Sequence, residues 1–218
     1  MHMIRRTLLA LALVILAPSA GLAQSADEHV HGPLPPVTAE DRALGSADAP
    51  VTVIEYASFS CPHCADWHRD VFPVLKTRYI DTGRVRLVFR DLPTSPPQLS
   101  YPAAMIAHCA APERFFDVAT AFFDGQAAVR SALQAGGDAR EWFIAGAMQS
   151  GRLPEEIVAC ATSEEAGEAL QARAEAASAA GVHGTPSFFV NGQAVADGSI
   201  ETLSAAIEAV APSAGGRP

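Results

Sequence analysis

The chain has 218 residues, with 24 acidic against 15 basic side chains and a net charge of −9 at neutral pH. This negative charge, together with the lack of any basic cluster, argues against a nucleic-acid partner. Four cysteines are too few for a disulfide-dense scaffold, and a chain of this length can bury a core without one.

The first residues read as an export signal and not as part of the fold. Arg5 and Arg6 precede the apolar run TLLALALVILA, and small residues at Gly21 and Ala23 suit cleavage after about Ala23. The run is about 11 residues long, whereas a membrane-spanning helix needs roughly 20. A permanent N-terminal anchor stays open as the alternative. We expect a soluble protein outside the cytoplasm.

A strand, a helix and a second strand follow one another in the first half of the chain. Val51–Ala57 (VTVIEYA) is a β-branched run that predicts a buried strand. Helical periodicity extends from Pro62 to Asp81, with a kink expected at Pro73 and an end at Thr82-Gly83. Val85–Phe89 predicts the second strand. This order predicts a βαβ unit with a right-handed crossover between parallel strands.

The chain then becomes alanine-rich and loses its strand-like runs. This character extends from about Leu99 to Ala180, and helix starts recur at Pro112, Asp138 and Pro154. We expect about four to six helices here, forming a small cap domain of their own.

Strand and turn signals return near the end of the chain. Pro186–Val190 predicts a strand, Asn191-Gly192 a two-residue hairpin turn, and Gln193–Ala196 the partner strand. An amphipathic helix is expected over Ile200–Val210, followed by a disordered tail. The sequence therefore predicts an α/β fold in which a block of helices separates a βαβ half from a ββα half.

The segment Cys61-Pro62-His63-Cys64 follows the first predicted strand and begins a predicted helix. N–H groups at a helix N-terminus carry partial positive charge, which lowers the pKa of a thiol there, and the thiolate is the nucleophile. Cys61 is therefore the predicted attacking thiol and Cys64, one turn on, the resolving thiol. Pro62 fits the first turn because it has no N–H to lose. His63 can stabilise the thiolate, which would make the disulfide form a stronger oxidant.

Three other interpretations of this segment stay open. The two cysteines could form a structural disulfide, His63 could be inert and exposed, or Cys61, His63 and Cys64 could bind a metal. A tetrahedral zinc site needs a fourth ligand or an open position, and the chain has no second ligand pair at metal spacing. His29 and His31 are weak candidates. We expect redox chemistry, with no metal and no cofactor.

Two features outside the segment support redox chemistry. Glu55 lies on the same strand face as Val51 and Val53, so it points into apolar surroundings and can accept the proton of Cys64. The alternative is a strand-end residue that reaches solvent. Gly184-Thr185-Pro186 precedes a predicted strand, where a cis bond before the proline would present free backbone groups to a substrate peptide. Both residues of that bond are therefore candidate substrate-binding residues.

These residues resemble a known family. EYASFSCPHC, with GVHGTPSFFVNG late in the chain, resembles the DsbA-like thioredoxin-fold oxidoreductases of the bacterial periplasm over about residues 49–210. The resemblance implies a thioredoxin fold, with a central mixed β-sheet flanked by helices, interrupted by an all-helical insertion domain. It implies Cys61 as nucleophile, Cys64 as resolving thiol, Glu55 as buried acid and Pro186 as cis-proline. It also implies reoxidation by a DsbB-like, quinone-linked membrane protein.

The resemblance and the chain pattern together divide the sequence into six expected segments. They are a signal peptide (1–23), a flexible lead (24–47), the first part of a thioredoxin domain (48–97), a helical insertion domain (98–180), the second part of the thioredoxin domain (181–211) and a disordered tail (212–218).

The simplest members of that family lack a second cysteine pair. Cys109 and Cys160 both lie in apolar helical runs and could be small buried side chains. In an oxidising compartment, however, two remaining cysteines in one helical block favour pairing. We expect a structural disulfide that closes a loop of about 50 residues and stabilises the fold by up to about 4 kcal/mol.

The expected function is a monomeric thiol oxidase that transfers the Cys61–Cys64 disulfide to unfolded or reduced exported proteins. A disulfide isomerase or reductase using the same dithiol is one alternative. Isomerases usually need a dimerisation module, and the short lead has no amphipathic stripe. A periplasmic metal-binding or chaperone-like module is an alternative of another class.

Overall fold

A computed structural model describes residues 32–211 of the chain. The expected signal peptide at residues 1–23, the beginning of the expected lead and the expected tail at residues 212–218 lie outside the described residues. None of the helices in the described range combines the length and the apolar character needed to cross a membrane.

A five-stranded mixed sheet lies at the centre of this range. In chain order its strands are β1 (Arg42–Leu44), β2 (Val51–Ala57), β3 (Val85–Asp91), β4 (Ser187–Val190) and β5 (Gln193–Ala194). In space their order is β1-β3-β2-β4-β5. Strands β2 and β3 are parallel and the other neighbours antiparallel, which confirms the predicted mixed sheet.

The turn between β4 and β5 follows the sequence signal closely. Asn191 and Gly192 both have positive φ, 46° and 83°. A two-residue hairpin turn whose twist matches its strands needs this conformation at both positions, and asparagine and glycine adopt it most readily.

The helical segment between β2 and β3 is interrupted. It consists of α1 (Pro62–Asp70), α2 (Phe72–Leu75) and a π-helical turn (Lys76–Ile80). The single helix predicted to run to Asp81 is therefore wrong in detail, although a kink was expected. The break falls at Val71 because Pro73 cannot donate an N–H and its ring crowds the preceding turn.

Five α-helices lie between β3 and β4, within the expected number. They are α3 (Pro97–Cys109), α4 (Phe115–Gln134), α5 (Arg140–Met148), α6 (Pro154–Ala161) and α7 (Glu164–Ala179). Pro154 begins α6 as expected, Pro112 begins a 3-10 turn that leads into α4, and the Asp138 carboxylate accepts from the N–H of Arg140 at the start of α5.

The expected lead (24–47) contains the short strand β1 (Arg42–Leu44), which the sequence analysis did not predict. This strand pairs antiparallel with β3. Arg90 of β3 binds the segment that precedes β1. Its guanidinium donates to the carbonyl oxygens of Pro35 and Pro36 and to the carboxylate of Asp41. These contacts are long-range, which is why a three-residue strand leaves no local signal.

The sheet is covered on both faces. Helices α1, α2 and α8 (Ile200–Val210) cover the face that carries Val51 and Val53, and the end of α7 covers the face of Ile54 and Tyr56. Phe59, in the loop after β2, stacks on Phe89 and contacts two phenylalanines of α4. This aromatic cluster joins the block of helices to the loop that leads into α1.

Candidate active site

The predicted dithiol lies at the start of α1, which follows β2 after a short loop. Cys61 is the N-cap residue of α1, and Pro62 occupies the first turn. Both cysteines are free thiols; Cys61 is 8% exposed, whereas Cys64 is fully buried. Pro62 and His63 are exposed. Cys61 is thus the thiol that a partner can approach, and Cys64 lies beneath it.

The surroundings of Cys61 lower its pKa to about 5. The largest cause is a hydrogen bond from the Cys64 thiol, and burial opposes it. The Thr185 side chain and the N–H groups of Cys64 and His63 add smaller contributions in the same direction. A thiol with this pKa is a thiolate at neutral pH, as a nucleophile requires.

His63 follows Cys61 by two positions and contributes to its surroundings through the backbone. Its backbone N–H helps to lower the pKa of Cys61. Across residues 32–211, however, no hydrogen bond joins its imidazole to another residue. The predicted stabilisation of the thiolate by the His63 side chain stays a prediction.

Thr185 brings the start of β4 against Cys61. The Thr185–Pro186 peptide bond is cis, and the Thr185 carbonyl oxygen lies 3.3 Å from Cys61 Sγ, where it accepts from the thiol. Thr185 Oγ1 is buried, with no hydrogen-bond partner in the dithiol form. When Cys61 is a thiolate, the hydroxyl can donate to the sulfur, which agrees with its pKa-lowering contribution.

The resolving thiol and the predicted acid lie in the same buried region. Burial raises the pKa of Cys64 strongly, and its hydrogen bond to Cys61 and the charge of Glu55 raise it further. Glu55 is fully buried and does not reach solvent. A thiol that resists ionisation in this way needs a nearby group to take its proton before it can attack.

His68 is a residue of this region that the sequence analysis missed. Its Nε2 lies 3.1 Å from both carboxylate oxygens of Glu55, and its side chain is only 6% exposed. The available signal was its spacing, since His68 follows Cys64 by one helical turn and so shares its face of α1.

Gln126 is a second residue that the sequence did not reveal. From α4, its buried side-chain amide donates to the carbonyl oxygens of Phe59 and Cys61, at 2.8 and 2.9 Å. Beside α1 and α4, a cleft of about 600 Å³ is lined by Pro62, Gln126 and charged residues of both helices. The cleft gives room for a polypeptide next to the exposed motif.

The remaining two cysteines lie away from this dithiol in sequence and are joined to each other. Cys109 at the end of α3 and Cys160 on α6 form a disulfide, with Cα atoms 5.8 Å apart. Among residues 32–211, no group of three or more histidine, cysteine, aspartate or glutamate side chains is arranged to hold a metal ion.

Comparison with known proteins gives a consistent result. A family model described as thioredoxin matches residues 37–209. A proposed protein-disulfide oxidoreductase of Rickettsia bellii is 34% identical over 169 residues, covering 77% of this chain and 63% of that protein. The chain spans about three fifths of the length of the Rickettsia proteins it matches.

Solved structures share the architecture. Alpha-DsbA1 of Wolbachia pipientis has a TM-score of 0.70 at 26% identity, covering 81% of this chain and 92% of that one. Oxidised BdbD of Bacillus subtilis also has a TM-score of 0.70, at 21% identity, covering 83% of this chain and 97% of that one. The second likeness concerns the fold alone.

Proposed function

This chain belongs to the thioredoxin family, in its DsbA-like branch, and we propose that it is a thiol:disulfide oxidoreductase that acts as an oxidase. Its substrates are unfolded or reduced exported proteins, and its reaction is the transfer of the Cys61–Cys64 disulfide to a pair of client thiols. No cofactor takes part, because the Cys61–Cys64 disulfide itself accepts the two electrons from the client thiols.

The transfer has two steps. A client thiolate attacks Cys61 Sγ, which forms a mixed disulfide and releases Cys64 as a thiolate that takes up a proton. A second client thiolate then attacks the client sulfur of the mixed disulfide and releases Cys61 as a thiolate. The client loses two electrons and gains a disulfide, while the Cys61–Cys64 disulfide is reduced to the dithiol.

The low pKa of Cys61 is the observation that carries the oxidase direction. A pKa of about 5 keeps the reduced form as a stabilised thiolate at neutral pH. At a working pH of about 7, the pKa of Cys61 lies about two units below the pH. This difference raises the reduction potential by about 60 mV relative to a thiol whose pKa equals that pH. A stabilised thiolate is also a good leaving group, so the second client thiolate readily displaces Cys61 from the mixed disulfide.

The backbone beside Cys61 supports a role in client binding. The Thr185 carbonyl oxygen and the cis bond to Pro186 lie against the nucleophile, where an extended client segment would pass. We propose that the protein works as a monomer in the periplasm after removal of residues 1–23. A DsbB-like, quinone-linked membrane protein would reoxidise the dithiol.

The redox equilibrium of the dithiol against glutathione buffers tests this proposal, with thiol trapping and mass measurement as the readout. Half-oxidation only in strongly oxidising mixtures is expected for an oxidase. Oxidation that persists in strongly reducing mixtures would instead favour the reductase or isomerase. Failure of the unmodified protein to transfer its disulfide to a reduced peptide, with peptide binding unchanged in a Cys61→Ala variant, would contradict both enzyme functions and favour a binding module.

A further inference from the structure

The buried region around Cys64 contains more than the predicted acid. Glu55 and His68 are in contact through Nε2 and both carboxylate oxygens, and each is almost completely shielded from solvent. A buried ionisable pair is expensive to maintain unless its charges are balanced and hydrogen-bonded. The pair lies beside the Cys64 thiol, which must lose a proton before it attacks, so the pair is placed to take part in that proton transfer.

We propose that His68 is the second half of the proton acceptor for Cys64, so that Glu55 and His68 take the thiol proton together and share it across their contacts. This inference rests on the proposed function, because it concerns the closing of the same dithiol. His68 shares the proton through its contact with Glu55 and not through a contact with a reacting sulfur, so it is a positioning residue for the reaction.

Charge conservation in the buried region agrees with proton acceptance by the Glu55–His68 pair. Cys64 is neutral as a thiol, and a carboxylate with a neutral imidazole carries one negative charge. When the proton moves from Cys64 to the pair, the sulfur gains that charge and the pair becomes neutral. The region carries one negative charge throughout, which avoids the repulsion that Glu55 exerts on an ionised Cys64.

The packing around His68 fixes the ring in place. The imidazole stacks on Phe123 of α4, with ring centroids 4.1 Å apart, and also contacts Trp67, Phe72 and Phe89. These rings lie on α1, α2, β3 and α4 and carry no charge. The charged groups that act on Cys64 are Glu55 and Cys61, and both raise its pKa.

A stepwise reaction separates the two cysteines experimentally. The thiolate of Cys61 attacks the aromatic disulfide dithiobis(nitrobenzoate), forming a mixed disulfide and releasing one coloured thiolate. Cys64 then gives its proton to the acceptor and attacks Cys61 Sγ, closing the protein disulfide and releasing a second coloured thiolate. Stopped-flow absorbance resolves the first phase, which reports Cys61, from the second phase, which reports Cys64.

The decisive variant is His68→Gln, since glutamine keeps an N–H donor for the carboxylate but has no nitrogen that titrates. We expect a first phase within twofold of the unmodified protein and a second phase slowed by about 100-fold at neutral pH. The slowed phase should rise about tenfold per pH unit as hydroxide replaces the acceptor. A second phase unchanged in rate and pH profile would overturn the inference.

The matched control is His108→Gln. His108 also pairs with a buried carboxylate, that of Asp91, but in the described chain neither residue hydrogen-bonds Cys61 or Cys64. Both phases should stay unchanged in this variant. If the unmodified protein itself gave no second phase, the dithiol would not close to the disulfide that an oxidase must carry, and the proposed function would fall together with the inference.

A measurement on the unmodified protein covers the case in which His68→Gln disturbs folding. A shared proton requires the ¹⁵N shift of His68 Nε2 and the ¹³C carboxyl shift of Glu55 to titrate in the same step in the reduced protein. Two separate and unlinked steps would overturn the inference. The double variant Glu55→Gln/His68→Gln should also be no slower in the second phase than the single variant Glu55→Gln.

Discussion

The side-chain amide of Gln126 donates a hydrogen bond to the carbonyl oxygen of Cys61 at 2.9 Å, so a residue of α4 holds the backbone of the nucleophile. The same nitrogen donates to Phe59 in the preceding loop at 2.8 Å. The block of helices therefore fixes the segment that carries the dithiol as well as covering it. This relationship explains how a helix distant in sequence can affect the reactive thiol.

Replacing Gln126 with leucine should destabilise the protein by about 1–3 kcal/mol, because a buried carbonyl loses its donor. The Cys61 carbonyl keeps a bond from the N–H of Ala65, so most of the loss falls on Phe59. Denaturant unfolding measures the change. Gln134→Leu, at an exposed position on the same helix, is the control; equal effects of the two substitutions would contradict the assigned contact.

Local sequence patterns predicted the parts of the site that belong to one strand or one turn. The β-branched run of β2 and the alternation along it placed Glu55 on the buried face, and the motif itself placed Cys61 at a helix start. The fold class followed from the order of strands and helices together with the family resemblance. These features depend on neighbours in the chain, so the sequence displays them.

Contacts between distant segments were not predictable in the same way. Strand β1 exists because it pairs with β3, and Gln126 acts because α4 packs over the loop before α1. His68 was within reach, since its one-turn spacing from Cys64 put both on one face. Its partnership with Glu55 depends on how α1 lies across β2, which no local pattern encodes.

The Thr185 hydroxyl is predicted to stabilise the Cys61 thiolate, so Thr185→Val should raise the pKa of Cys61 above about 5. Valine keeps the shape of the side chain but has no donor. The absorbance of the thiolate, followed against pH, measures the change. Thr120→Val is the control, since that hydroxyl donates to a carbonyl within α4. An unchanged titration of Cys61 would contradict the role of Thr185.

The Cys109–Cys160 bond is predicted to stabilise the fold without taking part in disulfide transfer. It joins α3 to α6 across a sequence separation of 51 residues. In the chain-entropy model, a loop of this length gives about 4 kcal/mol, which the double variant Cys109→Ala/Cys160→Ala should lose. Unfolding measures the loss, and a peptide oxidation assay should show no change. Mass mapping that found both thiols free in the oxidised protein would contradict the prediction.

The low pKa of Cys61 predicts how the stability of the reduced protein depends on pH. The folded state holds Cys61 as a thiolate above about pH 5, whereas the unfolded thiol keeps its proton up to about pH 8.5. Between these values the unfolded state binds one proton more, so the free energy of unfolding rises with pH. The slope is at most about 1.4 kcal/mol per unit, and this stability is lost as the pH falls through 5. Cys64 does not affect this window, because burial raises its pKa in the folded state and its ordinary pKa of about 8.5 keeps it protonated in the unfolded state.

Denaturant unfolding of the reduced protein at a series of pH values from 4 to 8 measures this dependence. The same series on the reduced Cys61→Ser variant removes the titrating thiol and keeps the other ionisable groups. The difference between the two curves should grow with pH, since only the thiolate contributes it. The oxidised protein has no free Cys61 thiol and should follow the variant in slope. A reduced protein whose stability runs parallel to that of Cys61→Ser would show that the folded thiol is not ionised, and the argument for the oxidase direction would lose its basis.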